Sequence, residues 1–216
     1  MADNRRKYGF RYYSSMSGAG RAAGIENGVT SGYQANVVSN VGLSIGDPVA
    51  FNAAGNFELA EDVTADRFFG VIVAIPKARI ESNGKSRPAS YLPGGTTYTN
   101  EVDRSSLIVI PFGRDIWEVD VDDNVTATTL AAYRALVGLN CDMRYRLDLV
   151  SNADKPRADP VLDISTAATT QALDFRIVGV SKTQENQDFS GANVKLLVQL
   201  NVGSEPMLGT AGVVGL

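Results

Sequence analysis

Hydrophobic positions recur every second residue along much of the chain. The clearest case is Asp115 to Asp122, where Trp117, Val119 and Val121 alternate with Glu118, Asp120 and Asp122. Successive side chains of a strand point to opposite faces, so this reads as a half-buried strand with a solvated acidic face. Asn193 to Val202 repeats the pattern, with Val194, Leu196, Val198, Leu200 and Val202 facing inward. Phe68 to Ile75 is a continuous apolar run ended by Pro76, and its length and β-branching predict a buried strand. Shorter runs at Val37-Val38, Val49 to Phe51, Phe57 to Leu59, Leu107 to Pro111, Tyr145 to Val150 and Leu173 to Val180 also read as strands. Turn signals such as Gly46-Asp47-Pro48 and Gly55 separate them. Helical spacing is found from Thr128 to Val137, where Leu130, Tyr133 and Val137 share a face and Gly138 provides a stop.

Many short strands with one short helix predict a mostly β fold, a β-barrel or β-sandwich-like body over residues 33–202. That body is one unit or two β modules joined near residues 101–114. Residues 1–32 read as an extended basic N-terminal arm, ending in a connector rich in Gly, Ser and Ala over residues 14–32. Residues 203–216 read as an extended apolar C-terminal tail. Residues 81–100 read as an exposed excursion or long hairpin, and the polar stretch Asn152 to Pro160 as a loop.

Charge sharpens this division. Residues 1–21 hold Arg5, Arg6, Lys7, Arg11 and Arg21 against Asp3, a net of +4 within a chain whose overall net charge is -4. A basic arm on an acidic body points to a negative partner, either nucleic acid or the acidic body of a neighbouring copy. Tyr8, Phe10, Tyr12 and Tyr13 interleave with the basic residues, and an isolated arm has no core in which to bury them. Such interleaving can stack single-stranded bases, yet one short segment on an acidic body would meet phosphate repulsion. The expectation is an arm that docks on protein, dispensable for folding of the body, with no direct nucleic-acid contact. Glu118, Asp120 and Asp122 are candidates to receive such an arm. Met207, Leu208, Val213 and Val214 are candidates for an inter-subunit contact by the apolar tail.

Composition removes several chemistries. The chain has 216 residues, no histidine and the single cysteine Cys141. Ser-His-Asp and Cys-His catalysis, histidine metal sites, intrachain disulfides and thiolate zinc clusters are therefore excluded. No apolar run approaches the roughly 20 residues of a membrane helix, and no apolar segment of the signal-peptide kind follows the charged N-terminus. Gly42-Leu43-Ser44-Ile45-Gly46 matches a nucleophile elbow in letters, but no histidine base exists and Asp47-Pro48 follows in place of a helix. Gly18, Gly20 and Ala23 fit a dinucleotide fingerprint only loosely, without the strand and helix it needs. Asp120, Asp122 and Asn124 mimic the start of an EF-hand loop, but Val125 and Ala131 stand where its glycine and closing glutamate belong. Cys141 reads as a small buried residue. No cofactor, metal or enzymatic activity is expected.

Several stretches together resemble a known family. They are MADNRRKYGFRYYSSMSGAG at the start, Gly46-Asp47-Pro48-Val49, Ala65 to Val73, Asp115 to Asp120, and Val161 to Ser165. They are similar to head-associated structural proteins of tailed bacteriophages, of the capsid decoration or cement type. The resemblance implies a β-rich, non-enzymatic protein, made in the bacterial cytoplasm, that coats the outside of the virion head. It further implies binding to the major capsid protein, self-association as a homotrimer, and termini that reach neighbouring subunits. A role in the tail, baseplate or a fibre, with exposed Tyr or Trp stacking on host glycans, is the alternative.

Overall fold

In this computed structural model the structure describes residues 9–15, 30–33, 43–51, 57–60, 68–80, 86–89, 91–92, 106–112, 115–122, 127–145, 160–183, 186, 188–189 and 194–201. Arg5, Arg6, Lys7, Tyr8, Met207, Leu208, Val213 and Val214 lie outside them, as do Val37 and Val38.

Among the described residues the fold is mostly β, with two larger antiparallel sheets and one short helix. The first sheet has the order β1-β10-β14-β13-β11-β12. Its strands are β1 (Arg11–Ser15), β10 (Asp115–Asp120), β11 (Asn140–Tyr145), β12 (Pro160–Ala168), β13 (Phe175–Val180) and β14 (Lys195–Leu200). The second has the order β2-β9-β6-β4-β5. It is built from β2 (Thr30–Tyr33), β4 (Pro48–Phe51), β5 (Phe57–Leu59), β6 (Gly70–Ile80) and β9 (Ser106–Pro111), with β7 (Ser86–Ala89) also paired to β6. A small ribbon joins β3 (Leu43–Ser44) to β8 (Tyr91–Leu92). Beyond β10, Val121 makes a single parallel bridge to Leu162 on β12, and the Asp122 N–H donates to the Leu162 carbonyl at 3.0 Å. The first sheet thus rolls far enough for its last strand to meet the end of β10, but one bridge is not a ladder, and the described residues form no closed barrel.

One core serves both sheets. Ala50, Ala60, Phe68, Val71 and Ile110 from the second sheet's part of the chain pack with Trp117, Val119, Met143, Phe175, Leu196 and Val198 from the first. At its centre Phe112 stands 5.4 Å from Trp117 and 5.3 Å from Phe175, ring centroid to centroid. Such near-perpendicular and tilted ring contacts add to burial of the large aromatic surfaces. The Tyr145 hydroxyl donates to the Ala60 carbonyl and ties β11 to the end of β5.

Several sequence expectations change here. β1 is not part of a detached arm: Phe10 is buried among Phe112, Phe175 and the rest of the core, and Tyr12 packs on Trp117 at 5.8 Å. β2 lies inside the stretch read as connector, paired with β9. β6 runs through Pro76, because its pairing with β7 is irregular between Ile75 and Ala78, where a residue without an N–H breaks no regular ladder. β11 precedes the run at Tyr145 to Val150, and β12 begins at Pro160, where a loop was expected to end. The helix α1 spans Leu130–Ala135, shorter than expected, with the Thr129 hydroxyl accepting from the Ala132 N–H at 3.2 Å. Gly138 ends the turn at φ 95°, the left-handed conformation expected just past a helix. Tyr133 is buried as predicted, whereas Val137 is 42% exposed, since the helical repeat stops before reaching it.

Candidate functional site

The acidic strand and the segment that covers its edge make the most chemically loaded region. β10 shows the expected alternation, with Trp117, Val119 and Val121 in the core. Its other face is not solvated. Glu118, Asp120 and Asp122 are all buried, and each meets a cation from a different element. Arg11 Nη2 on β1 lies 2.6 Å from Glu118 Oε1, Lys195 Nζ on β14 lies 2.7 Å from Asp120 Oδ1, and Arg144 Nη2 on β11 lies 2.6 Å from Asp122 Oδ2. The expectation of a solvated acidic face is therefore corrected, and Glu118 holds Arg11 from the basic segment of the same chain. An isolated carboxylate out of water is costly, so a buried one requires a charge partner and hydrogen bonds.

The register explains the pairing. Arg11 sits opposite Glu118 and Lys195 sits opposite Asp120, as direct cross-strand neighbours. The Ser181 hydroxyl, just past β13, donates a second bond to Glu118 Oε2. Asn186 holds the β14 backbone in place. Its Oδ1 accepts from the Lys195 N–H at 2.8 Å, and its Nδ2 donates to the Lys195 carbonyl at 2.9 Å and the Ser181 carbonyl at 2.8 Å. Sequence reading named the three acids and Arg11 as contact residues but not Arg144 or Lys195, because those two are brought to the acids by strands far apart in the chain. Ser181 and Asn186 carried no signal in the sequence.

At the chain's entry into the sheet, Gly9 has φ 63° and the Phe10 N–H donates to the Gly46 carbonyl at 2.9 Å. A Cβ on Gly9 would lie 2.6 Å from that carbonyl oxygen, so the approach needs glycine. Tyr13 falls at the register shift between Tyr12 and Ser14 and is 43% exposed. Of the interleaved residues within the described part, Phe10 and Tyr12 face the core, Arg11 is engaged by Glu118, and Tyr13 alone presents an exposed ring.

The remaining candidate chemistry is structural in character. Cys141 is a buried thiol, and burial, with Asp142, Asp174 and Asp163 nearby, pushes it far above its ordinary range. A thiol held protonated is a poor nucleophile. Among the described residues no group of three or more Cys, Asp or Glu is arranged to hold a metal ion. No helix of the described residues is long and apolar enough to cross a membrane.

Asp142 on β11 stands directly opposite Asp163 on β12. Burial and the Asp163 charge raise its carboxyl above the ordinary value, against a lowering by the Asp174 backbone N–H. The folded chain therefore binds this proton more tightly than the unfolded chain, and stability is lost as pH rises through the raised value. D142N is expected to stabilise the protein at neutral pH by about 0.5 kcal/mol, the scale of one opposed like-charge pair. Paired thermal melts should show that gain fading below the ordinary carboxyl range, and a constant gain at every pH would refute this origin.

No protein-family model matches this chain, and its sequence matches no curated protein.

Proposed function

We propose that this chain is a non-enzymatic virion structural protein that binds the outside of a bacteriophage head and stabilises the capsid. Its partner in this reading is the major capsid protein, and it acts as a homotrimer on the head surface. The observation that carries the reading is how the basic N-terminal segment joins the body. Arg5, Arg6 and Lys7 directly precede an anchor made by Gly9, Phe10 and Arg11, locked into the edge of a sheet. Arg11 pairs with Glu118 within the chain, and the basic run Arg5, Arg6 and Lys7 is the cluster this reading assigns to an acidic partner surface. The resemblance to capsid decoration proteins supports the same reading. In a many-copy coat, small contacts of this kind add up through multivalency.

The test is co-sedimentation of purified protein with undecorated heads of its own phage. Saturable binding in a fixed ratio to capsid subunits, with light scattering giving a trimer, is the expected result. Replacing Arg5, Arg6 and Lys7 together by alanine should weaken attachment roughly tenfold, taking about 0.5 kcal/mol for each exposed charge contact. Raised salt should weaken it as well. Absence of the protein from purified heads would overturn the reading. The alternative, glycan binding by a tail or fibre component, loses ground because Trp117 is fully buried and cannot stack on a sugar.

A further inference from the structure

We propose that Lys195 and Asp120 condense into an intramolecular isopeptide bond that staples β14 to β10. The two side chains are each only 2% exposed, and Nζ lies 2.7 Å from Oδ1. They face each other directly on adjacent antiparallel strands, so the nucleophile and the acyl carbon belong to one rigid ladder. Asn186 bonds both the N–H and the carbonyl of Lys195 and fixes the backbone from which the amine projects. Well-oriented groups held in this way reach effective concentrations of roughly 10⁵–10⁸ M.

The pair contains everything the reaction needs. Across the 2.7 Å contact, transfer of a proton from Nζ to the carboxylate gives an amine and a carboxylic acid. The amine lone pair then forms the N–C bond to Asp120 Cγ. The C–O bond breaks, and the oxygen leaves as water with that proton and one from the amine. The product is an amide plus one water, with no oxidant, metal or other reactant consumed. Burial removes the water that would otherwise drive the amide back to its acid and amine. The link would close a stretch of 75 residues by joining the end of β10 to the start of β14. It would give a chain with one cysteine the covalent cross-brace that a disulfide cannot supply.

Intact-mass spectrometry of the folded full-length protein tests this without reference to head binding. The expected mass is lower than that of the sequence by one water, with a branched peptide after proteolysis that joins the segments containing Asp120 and Lys195. K195R and D120A should each restore the full mass. The wild-type measurement decides alone if those variants fail to fold. A wild-type protein of full mass, or a water loss confined to one peptide, as a succinimide would give, overturns the proposal.

Discussion

K195M is expected to destabilise the folded chain by about 3–5 kcal/mol, the cost of leaving a buried carboxylate without its charge partner. Asp120 cannot turn to water for compensation, because it is as buried as the lysine it faces. Methionine fills much of the same volume, so the loss reports charge rather than a cavity. Adding D120L to K195M should recover the part of the loss that belongs to the stranded carboxylate, so the double variant melts above the single one. This order holds whether the two side chains meet as ions or as the amide inferred above. Urea unfolding of the three proteins checks it, and a single variant as stable as the wild type would show that Asp120 reaches water. Arg11 and Glu118 offer the contrast. Arg11 is 45% exposed, so solvent screens that pair, and R11A should cost much less than K195M.

The alternation in β10 and β14 was legible because period two survives any arrangement of neighbours. Whether a face is wet or buried is a different question. Glu118, Asp120 and Asp122 look like a solvated face, since acids without partners stay in water. Register puts Arg11 and Lys195 against two of them and the roll of the sheet brings Arg144 to the third, and contacts over such sequence separations leave no local trace. β6 was legible in its apolar first half but not beyond Pro76, because a proline breaks a regular ladder and the irregularity that admits it depends on β7. Thr30 to Tyr33 carries too little apolar character to announce a strand, and its pairing with β9 places it in the second sheet. The division of the strands was nearer the surface. Apart from β1, the second sheet draws on residues up to Pro111 and the first on residues from Asp115 onward. The shared aromatic centre at Phe112 then makes one core of both.

Removing residues 1–15 is expected to unfold the protein or lower its stability by more than the roughly 3–5 kcal/mol of a lost buried phenylalanine, whereas removing residues 1–8 should leave stability near that of the wild type. The difference lies in Phe10 and the strand behind it. Phe10 sits 5.0 Å from Phe175 and 5.3 Å from Phe112, so its loss opens a cavity in the aromatic centre shared by both sheets. Truncation at residue 15 also strips β10 of its outer neighbour, uncovers Trp117 where Tyr12 packs, and leaves Glu118 without Arg11. The segment is easily mistaken for a detachable arm because its charge is so visible. Its alternation tells otherwise, since Phe10 and Tyr12 take one side and Arg11 and Tyr13 the other, as in any edge strand with one face on a core. F10A in the full chain isolates the ring from the strand and should account for most of the loss. Thermal melts of the two truncations and F10A decide the matter. A 1–15 deletion that melts like the wild type would return the whole segment to the status of an arm. A 1–8 deletion that keeps its fold but loses its hold on heads would place the attachment in Arg5, Arg6, Lys7 and Tyr8, and the folding in the residues directly after them.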